Sequence, residues 1–190
     1  MQKELSELLY SLGDKSITAM TNSFEREYKQ TYKTIVIPEH SYTGKPAIEG
    51  AEAAVKTIWC ADGKHFSDRV WNNTSKLTQE LNEGLVNIAI TGKGTKELTQ
   101  FLMERFNVSY NRAKSVVVTE MTHIQTQAAK DRYEGYGIEE FEFLDTEDEK
   151  TCDKCSALNG KRFKLSELKE GINAPSLHPN CRCCIIPVVD

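Results

Sequence analysis

No stretch of this sequence approaches the ~20 consecutive apolar residues that a membrane-spanning helix requires. The first residues, MQKELSELLYSLGDKS, are amphipathic and mixed in charge, without the apolar core of a secretory signal. The expected compartment is therefore a reducing one, where paired cysteines serve as metal ligands more often than as disulfides. A basic excess is also missing. Lys and Arg number 24 against 28 Asp and Glu, and the whole deficit falls in 139–190, with 11 acidic and 7 basic residues. Residues 1–138 balance at 17 and 17, so charge lends no support to a DNA-binding face. Gly92-Lys93-Gly94 is too short for a phosphate-binding loop, and there is neither an internal repeat nor a low-complexity segment. His40, His65 and His123 are isolated, and read as surface or core histidines rather than as a catalytic set.

What remains is a polar chain of 190 residues, 39% hydrophobic and 27% charged, long enough for one core or for a core and a small satellite. Leu5, Leu8, Leu9 and Leu12 predict a short amphipathic helix over 2–12. Asp14-Lys15-Ser16 restarts a second, striped by Ile17, Met20, Phe24 and Tyr28, that ends before Pro38. The polar segment 38–46 reads as a loop. A third helix spans Ala47 to about Cys60, ended by Asp62-Gly63. The strongest periodicity follows: Ser67 as a cap, then Val70, Trp71, Leu77, Leu81, Leu85 and Ile88, stopped at Gly92-Lys93-Gly94. Thr95 caps a helix through Leu98, Leu102 and Phe106. Ser109 opens the last long one, which closes at Gly135 and Gly137. Glu120, inside the apolar run VVVTEM, is either turned outward or buried with a partner.

At Ile138 the period changes to strand-like alternation around Phe141 and Phe143, with further short strands expected at 161–165 and 184–189. The acidic run Asp145 to Lys150 reads as a solvated loop. The fold class expected is α+β, predominantly α. A helical body, 1–137, divides into N-terminal helices and loop (1–46) and a long-helix core (47–137). A small β-containing module clipped by zinc follows at 138–190.

Five of the six cysteines lie in that module. Cys152 and Cys155 form a C-x-x-C pair, and after 22 residues comes H-x-x-C-x-C-C from His178 through Cys181, Cys183 and Cys184. Zinc takes four tetrahedral thiolate and imidazole ligands, and C-x-x-C lets one turn present two sulfurs to one ion. Cys152, Cys155, His178 and Cys181 are the first choice for one structural ion, with Cys183 the alternative ligand and Cys184 a packed thiol beside an apolar strand. A module of ~50 residues buries little apolar surface, so metal that contributes folding energy makes physical sense. Free buried thiols, disulfides formed after release from the cell, and a redox C-x-x-C are the competing readings. The last lacks a surrounding βαβ pattern.

The segments Phe141-Glu-Phe-Leu-Asp145, Thr151-Cys-Asp-Lys-Cys155, Leu158-Asn-Gly-Lys161 and His178-Pro-Asn-Cys-Arg-Cys183 resemble the tail signature of the phage minor head proteins, the Mu F-like head-morphogenesis family. Phe66-Ser-Asp-Arg-Val-Trp71 and Val118-Thr-Glu120 are similar too, so the resemblance covers roughly residues 60–190. It carries Cys152, Cys155, His178, Cys181 and Cys183 over as tail positions and Glu120 as a recurrent acidic one. Asn159 stands where the family often has Asp, and Ser176 where a second Pro is common. The chain is also shorter at its N-terminus than many members, as a short variant or a truncation would be. The resemblance implies a non-enzymatic virion component, present in few copies inside the capsid or at the portal vertex, passing through the host cytoplasm during assembly. Its implied partners are the portal protein and the major capsid or scaffolding protein, with phage DNA as a contact inside the head and, in some systems, an effect on ejection. No membrane and no small-molecule substrate are expected. Two other classes compete: a Cys/His-rich nuclease or toxin-type enzyme domain, and a zinc-clipped nucleic-acid-binding adaptor.

Overall fold

The computed structural model describes residues 2–38, 40–60, 62–91 and 95–189, the side chains of 2, 85, 88, 89, 95 and 98 excepted. The stop at Gly92-Lys93-Gly94, the side chains of Leu85, Ile88 and Leu98, and the Thr95 cap thus lie outside the described residues. Four long or medium helices come first: α1 Gln2–Thr34, α2 Ala47–Lys56, α3 Phe66–Thr91 and α4 Thr95–Gly135. Then follow β1 Glu140–Leu144, the one-turn helix α5 Asp153–Ser156, β2 Arg162–Lys164, a 3-10 turn Leu165–Glu167, and β3 Cys184–Pro187. The fold is α+β and predominantly α, with its three-stranded antiparallel sheet, in the order β2-β1-β3, near the C-terminus. No described helix is long and apolar enough to cross a membrane.

Two expected breaks are absent. α1 runs through Gly13-Asp14, because the hydroxyls of Ser16 and Thr18 bond back to the carbonyls of Leu12 and Asp14 instead of capping a new helix. Gly13 serves close packing: a Cβ there would lie 2.7 Å from the Trp71 ring. α4 likewise runs through Ser109. The Ser109 carbonyl and hydroxyl accept from the Asn73 side chain at 3.1 and 3.0 Å, so Ser109 ties α4 to α3 rather than starting a helix. α2 is shorter than expected. Thr57 is already extended, and the following residues carry Trp59 to Glu120, its indole N–H donating to Glu120 Oε2 at 3.0 Å.

The chain forms two compact units. One comprises Met1–Met20 and Phe66–Val116, where Leu9, Leu77 and Leu81 make a small core flanked by Leu5, Phe101 and Leu102. From Asn82 to Val116 none of its described residues is buried. The other comprises Thr21–His65 and Val117–Asp190. Its main core joins Ile37, Ala129, Tyr133 and Tyr136 of the helical part to Ile138, Phe141, Leu165, Ala174 and Ile185. Gly137, at φ +74°, takes the left-handed conformation that ends α4 and turns the chain into the sheet. Both sheet edges are blunted. β2 presents Arg162 and Lys164, while β3 carries Pro187, which has no N–H, and its Ile185 carbonyl accepts from the Tyr133 hydroxyl at 3.0 Å.

An aromatic cage locks the second unit. The Arg132 guanidinium stands 4.9, 4.0 and 4.8 Å from the ring centres of Tyr32, Tyr42 and Tyr136. Its Nε donates to the Ile35 carbonyl at 2.9 Å and its Nη2 to the Tyr136 hydroxyl at 3.1 Å. Tyr32 and Tyr42 both donate to the Lys45 carbonyl, so the 38–46 loop is pinned by the same cluster. Cation–π contact with several rings and a planar fork of donors suit Arg and not Lys. Arg132→Ala should lower unfolding stability by about 2–3 kcal/mol and Arg132→Lys by about 1–2 kcal/mol, read from urea melts with an unchanged m value.

Candidate metal centre

Each arm of the cysteine cluster is shaped by the same turn. In the first, Cys152 stands at the N-cap of α5 and the Cys155 N–H donates to the Cys152 carbonyl at 3.0 Å. In the second, the Cys181 N–H donates to the His178 carbonyl at 3.1 Å. Both turns set residues i and i+3 side by side. The Cys155 backbone N–H beside the Cys152 sulfur also holds that thiol below its ordinary value, since an N–H pointed at sulfur favours thiolate.

The side chains converge. His178 Nε2 lies 3.3 Å from the Cys152 sulfur and 3.3 Å from the Cys155 sulfur, and the Cys155 and Cys181 sulfurs are 4.0 Å apart. His178 Nδ1 faces the Pro179 carbonyl at 2.9 Å. A carbonyl only accepts, so Nδ1 carries the proton and Nε2 presents its lone pair to the sulfurs, as a metal ligand must. Two groups of three form, Cys152–Cys155–His178 and Cys155–Cys181–Cys183, each with ligand atoms within 4.8 Å of one another, and Cys155 belongs to both. Cys184 is exposed at the start of β3 and joins neither group, contrary to its reading as a packed thiol.

The donor types suit zinc. Zinc–sulfur and zinc–nitrogen bonds of ~2.3 and ~2.0 Å place neighbouring ligand atoms roughly 3.5–3.8 Å apart. The spacings of 3.3, 3.3 and 4.0 Å here lie within a few tenths of that, while His178 and Cys181 fall in separate groups. The surroundings are apolar: Phe143 and Leu177 are buried with Cys155, Cys181 and Cys183, against partly buried Leu158 and Phe163. Burial pushes the Cys183 thiol up to about 11 and raises Cys155 further still, with neighbouring sulfurs adding to it. A cation at the centre inverts that preference, because thiolates crowded together repel one another only until a divalent charge sits between them. These Cys and His groups could hold a metal ion.

Asn159 and Ser176 each brace a loop of the centre. The Asn159 amide uses both ends, Oδ1 accepting from the Asp145 N–H at 3.0 Å and Nδ2 donating to Glu147 at 3.1 Å. Asp could not make the second bond. The Ser176 hydroxyl donates to the His178 carbonyl at 3.1 Å, steadying the second arm. The acidic run is a self-capped loop: Asp145 accepts from the Glu147 N–H and Asp148 from the Lys150 N–H.

Sequence reasoning missed a buried polar belt beside the centre. His123, 1% exposed, stacks on Trp59 at 4.8 Å between centroids. Its Nδ1 meets the Glu170 carboxylate at 2.8 and 2.9 Å, and its Nε2 faces the Ala54 carbonyl at 3.2 Å. Glu120 is buried with a partner, Trp59, the second of the two alternatives open from sequence. The usable signal was Glu120 and His123 one turn apart, directly after the apolar run Val116 to Val118. His40 and His65 are not among the grouped ligands.

Asp148 closes the loop onto the second arm. Arg182, between Cys181 and Cys183, grips both its oxygens at 2.6 and 2.7 Å. That bidentate contact holds the Asp148 carboxyl well below its ordinary value of 3.8. A depressed folded-state value contributes stability that is present above pH 3.8 and lost as pH falls below it. Asp148→Asn should therefore be less stable than the parent at neutral pH, with the gap closing on acidification. Paired urea melts from pH 6 down to pH ~2.5 check this, and because the pair is exposed, high salt should shrink the gap.

The comparisons with known proteins bear on this segment. A family model described as phage Mu protein F like protein matches residues 76–186. That match takes in all five candidate ligands and most of α3 and α4, more than half of the chain. Searches of curated proteins and of solved structures found no match. The Cys/His tail and the helices in front of it thus fall inside one family model, and the chain belongs to the phage Mu protein F-like family, a family of phage head morphogenesis.

Proposed function

We propose that this chain is a non-enzymatic structural component of the phage head, a minor capsid protein that joins the head at the portal vertex and is held in shape by one zinc ion. The observation that carries the reading is the meeting of five thiol and imidazole side chains, as two groups of three that share Cys155, against an apolar cluster within the family-matched segment. Cys152, Cys155, His178 and Cys181 are the proposed ligands, each pair lying at i, i+3 across one turn. His178 and Cys181 belong to separate groups that meet at Cys155, so an ion would draw the two arms together, and Cys183 is the alternative to Cys181. Four protein ligands leave no coordination position for water or substrate, which suits a structural and not a catalytic ion.

Docking falls to the helices. Met103, Phe106 and Tyr110 are 62%, 47% and 66% exposed, and their spacing of three and four residues puts them on one stripe of α4. An apolar stripe of this kind on a head protein suits a portal or capsid partner.

Protein purified without chelator should contain one zinc per chain by mass spectrometry under native conditions. Cys152→Ser and His178→Ala should lose the ion and melt at a lower temperature. Zinc-free parent protein that melts at the same temperature as the zinc-loaded parent would remove the structural role of the metal. In a co-assembly test with the portal and major capsid proteins of the same genome, the parent should be found in procapsids. The double variant Phe106→Glu, Tyr110→Glu should be left out while keeping its zinc. A parent absent from procapsids would overturn the head assignment.

A further inference from the structure

α4 carries a polar stripe that no function described so far uses: Thr119, Thr122, His123 and Gln127, at i, i+3, i+4 and i+8 and so on one face of the helix. Threonines inside helices ordinarily donate back to the carbonyl four residues earlier, as Thr74, Thr78 and Thr126 do here. Thr122 does otherwise. Its hydroxyl is 2.7 Å from the Cys181 carbonyl and 3.2 Å from the Val118 carbonyl, and its single proton goes to the nearer acceptor. One turn earlier, Thr119 Oγ1 accepts from the Asn180 N–H at 2.9 Å. The two hydroxyls therefore grip the peptide groups on either side of the Asn180–Cys181 step.

That step needs holding. Asn180 sits at φ +61°, a left-handed conformation that costs a non-glycine residue free energy unless its surroundings fix it. This conformation turns Cys181 inward, where it is 1% exposed and its sulfur faces Cys155. The approach to the second arm is fastened to the same helix face. His123 and Gln127 both bond Glu170, Glu170 pairs with Ala174 across a short bridge, and the buried run Ala174 to Leu177 leads straight into His178.

We infer that Thr119 and Thr122 are positioning residues of the metal centre: α4 is its outer shell, and the hydroxyls pre-set Cys181 as a ligand before the ion arrives. The inference rests on the proposed zinc site with Cys181 in it. Groups that orient a ligand without touching the metal typically change metal affinity by ~10–100-fold when removed.

The test is zinc affinity by competition with a chromophoric chelator on the full chain, together with the ligand-field spectrum of the cobalt-loaded protein. Thr122→Val, which keeps shape and loses the hydroxyl, should weaken zinc by at least ~10-fold and alter the cobalt bands, and Thr122→Ser should restore both. Thr119→Val gives an independent reading should Thr122→Val fold poorly. Thr78→Val, whose hydroxyl bonds only its own helix, should leave zinc affinity unchanged. If the Thr122 and Thr119 variants bind zinc as tightly as the parent and only melt earlier, with and without metal, the hydroxyls are packing groups and the inference falls. A parent that takes up no zinc would instead bring down the ligand assignment, and this inference with it.

Discussion

The second compact unit depends on one crowded atom, the Cys155 sulfur. It is buried, it belongs to both groups of candidate ligands, and it faces His178 and Cys181 at 3.3 and 4.0 Å. Neutral thiols packed this closely make only weak hydrogen bonds, and ionised ones repel. A divalent ion bound there would turn the same arrangement into an attractive one. Around it the sheet is only three short strands, and the apolar shell amounts to Phe143, Leu177 and their few neighbours. Such a shell orders the ligands but supplies little folding free energy by itself.

The centre is not isolated from the helices. α4 reaches it through Thr119, Thr122, His123 and Gln127, and reaches the sheet through Tyr133, whose hydroxyl meets the Ile185 carbonyl. The same helix holds the loop before α2 through Arg132 and its three tyrosine rings. One face of α4 thus takes the place of an apolar stripe with specific polar contacts. Such contacts fix one register, because a slip by one residue would leave buried donors and acceptors unpaired. For a protein that must fit a fixed place in a larger assembly, register matters more than added stability.

Much of this was legible in the residues. C-x-x-C and H-x-x-C spacing constrains local turn geometry, so the turns at Cys152–Cys155 and His178–Cys181 were legible, whereas the meeting of the two arms at Cys155 is a tertiary matter. The strand at Phe141 and Phe143 followed from alternation, and these two residues are its buried face, while 162–164 and 184–187 fall inside the further short strands expected there. The continuity of α1 and α4 was not legible. Gly13 and Ser109 look like breaks locally, but back-bonds from Ser16 and Thr18 carry α1 past the first, and Asn73 of α3 engages the second. The belt of Trp59, His123 and Glu170 was hidden for the same reason, as its members are 47 or more residues apart in the chain.

X-ray absorption at the zinc edge tests the central claim most directly. With the proposed ligands the zinc would be surrounded by three sulfurs at about 2.3 Å and one imidazole nitrogen at about 2.0 Å, unchanged in Cys183→Ser. A shell containing an oxygen from water, or a loss of one sulfur in Cys183→Ser with none lost in Cys181→Ser, would contradict that claim.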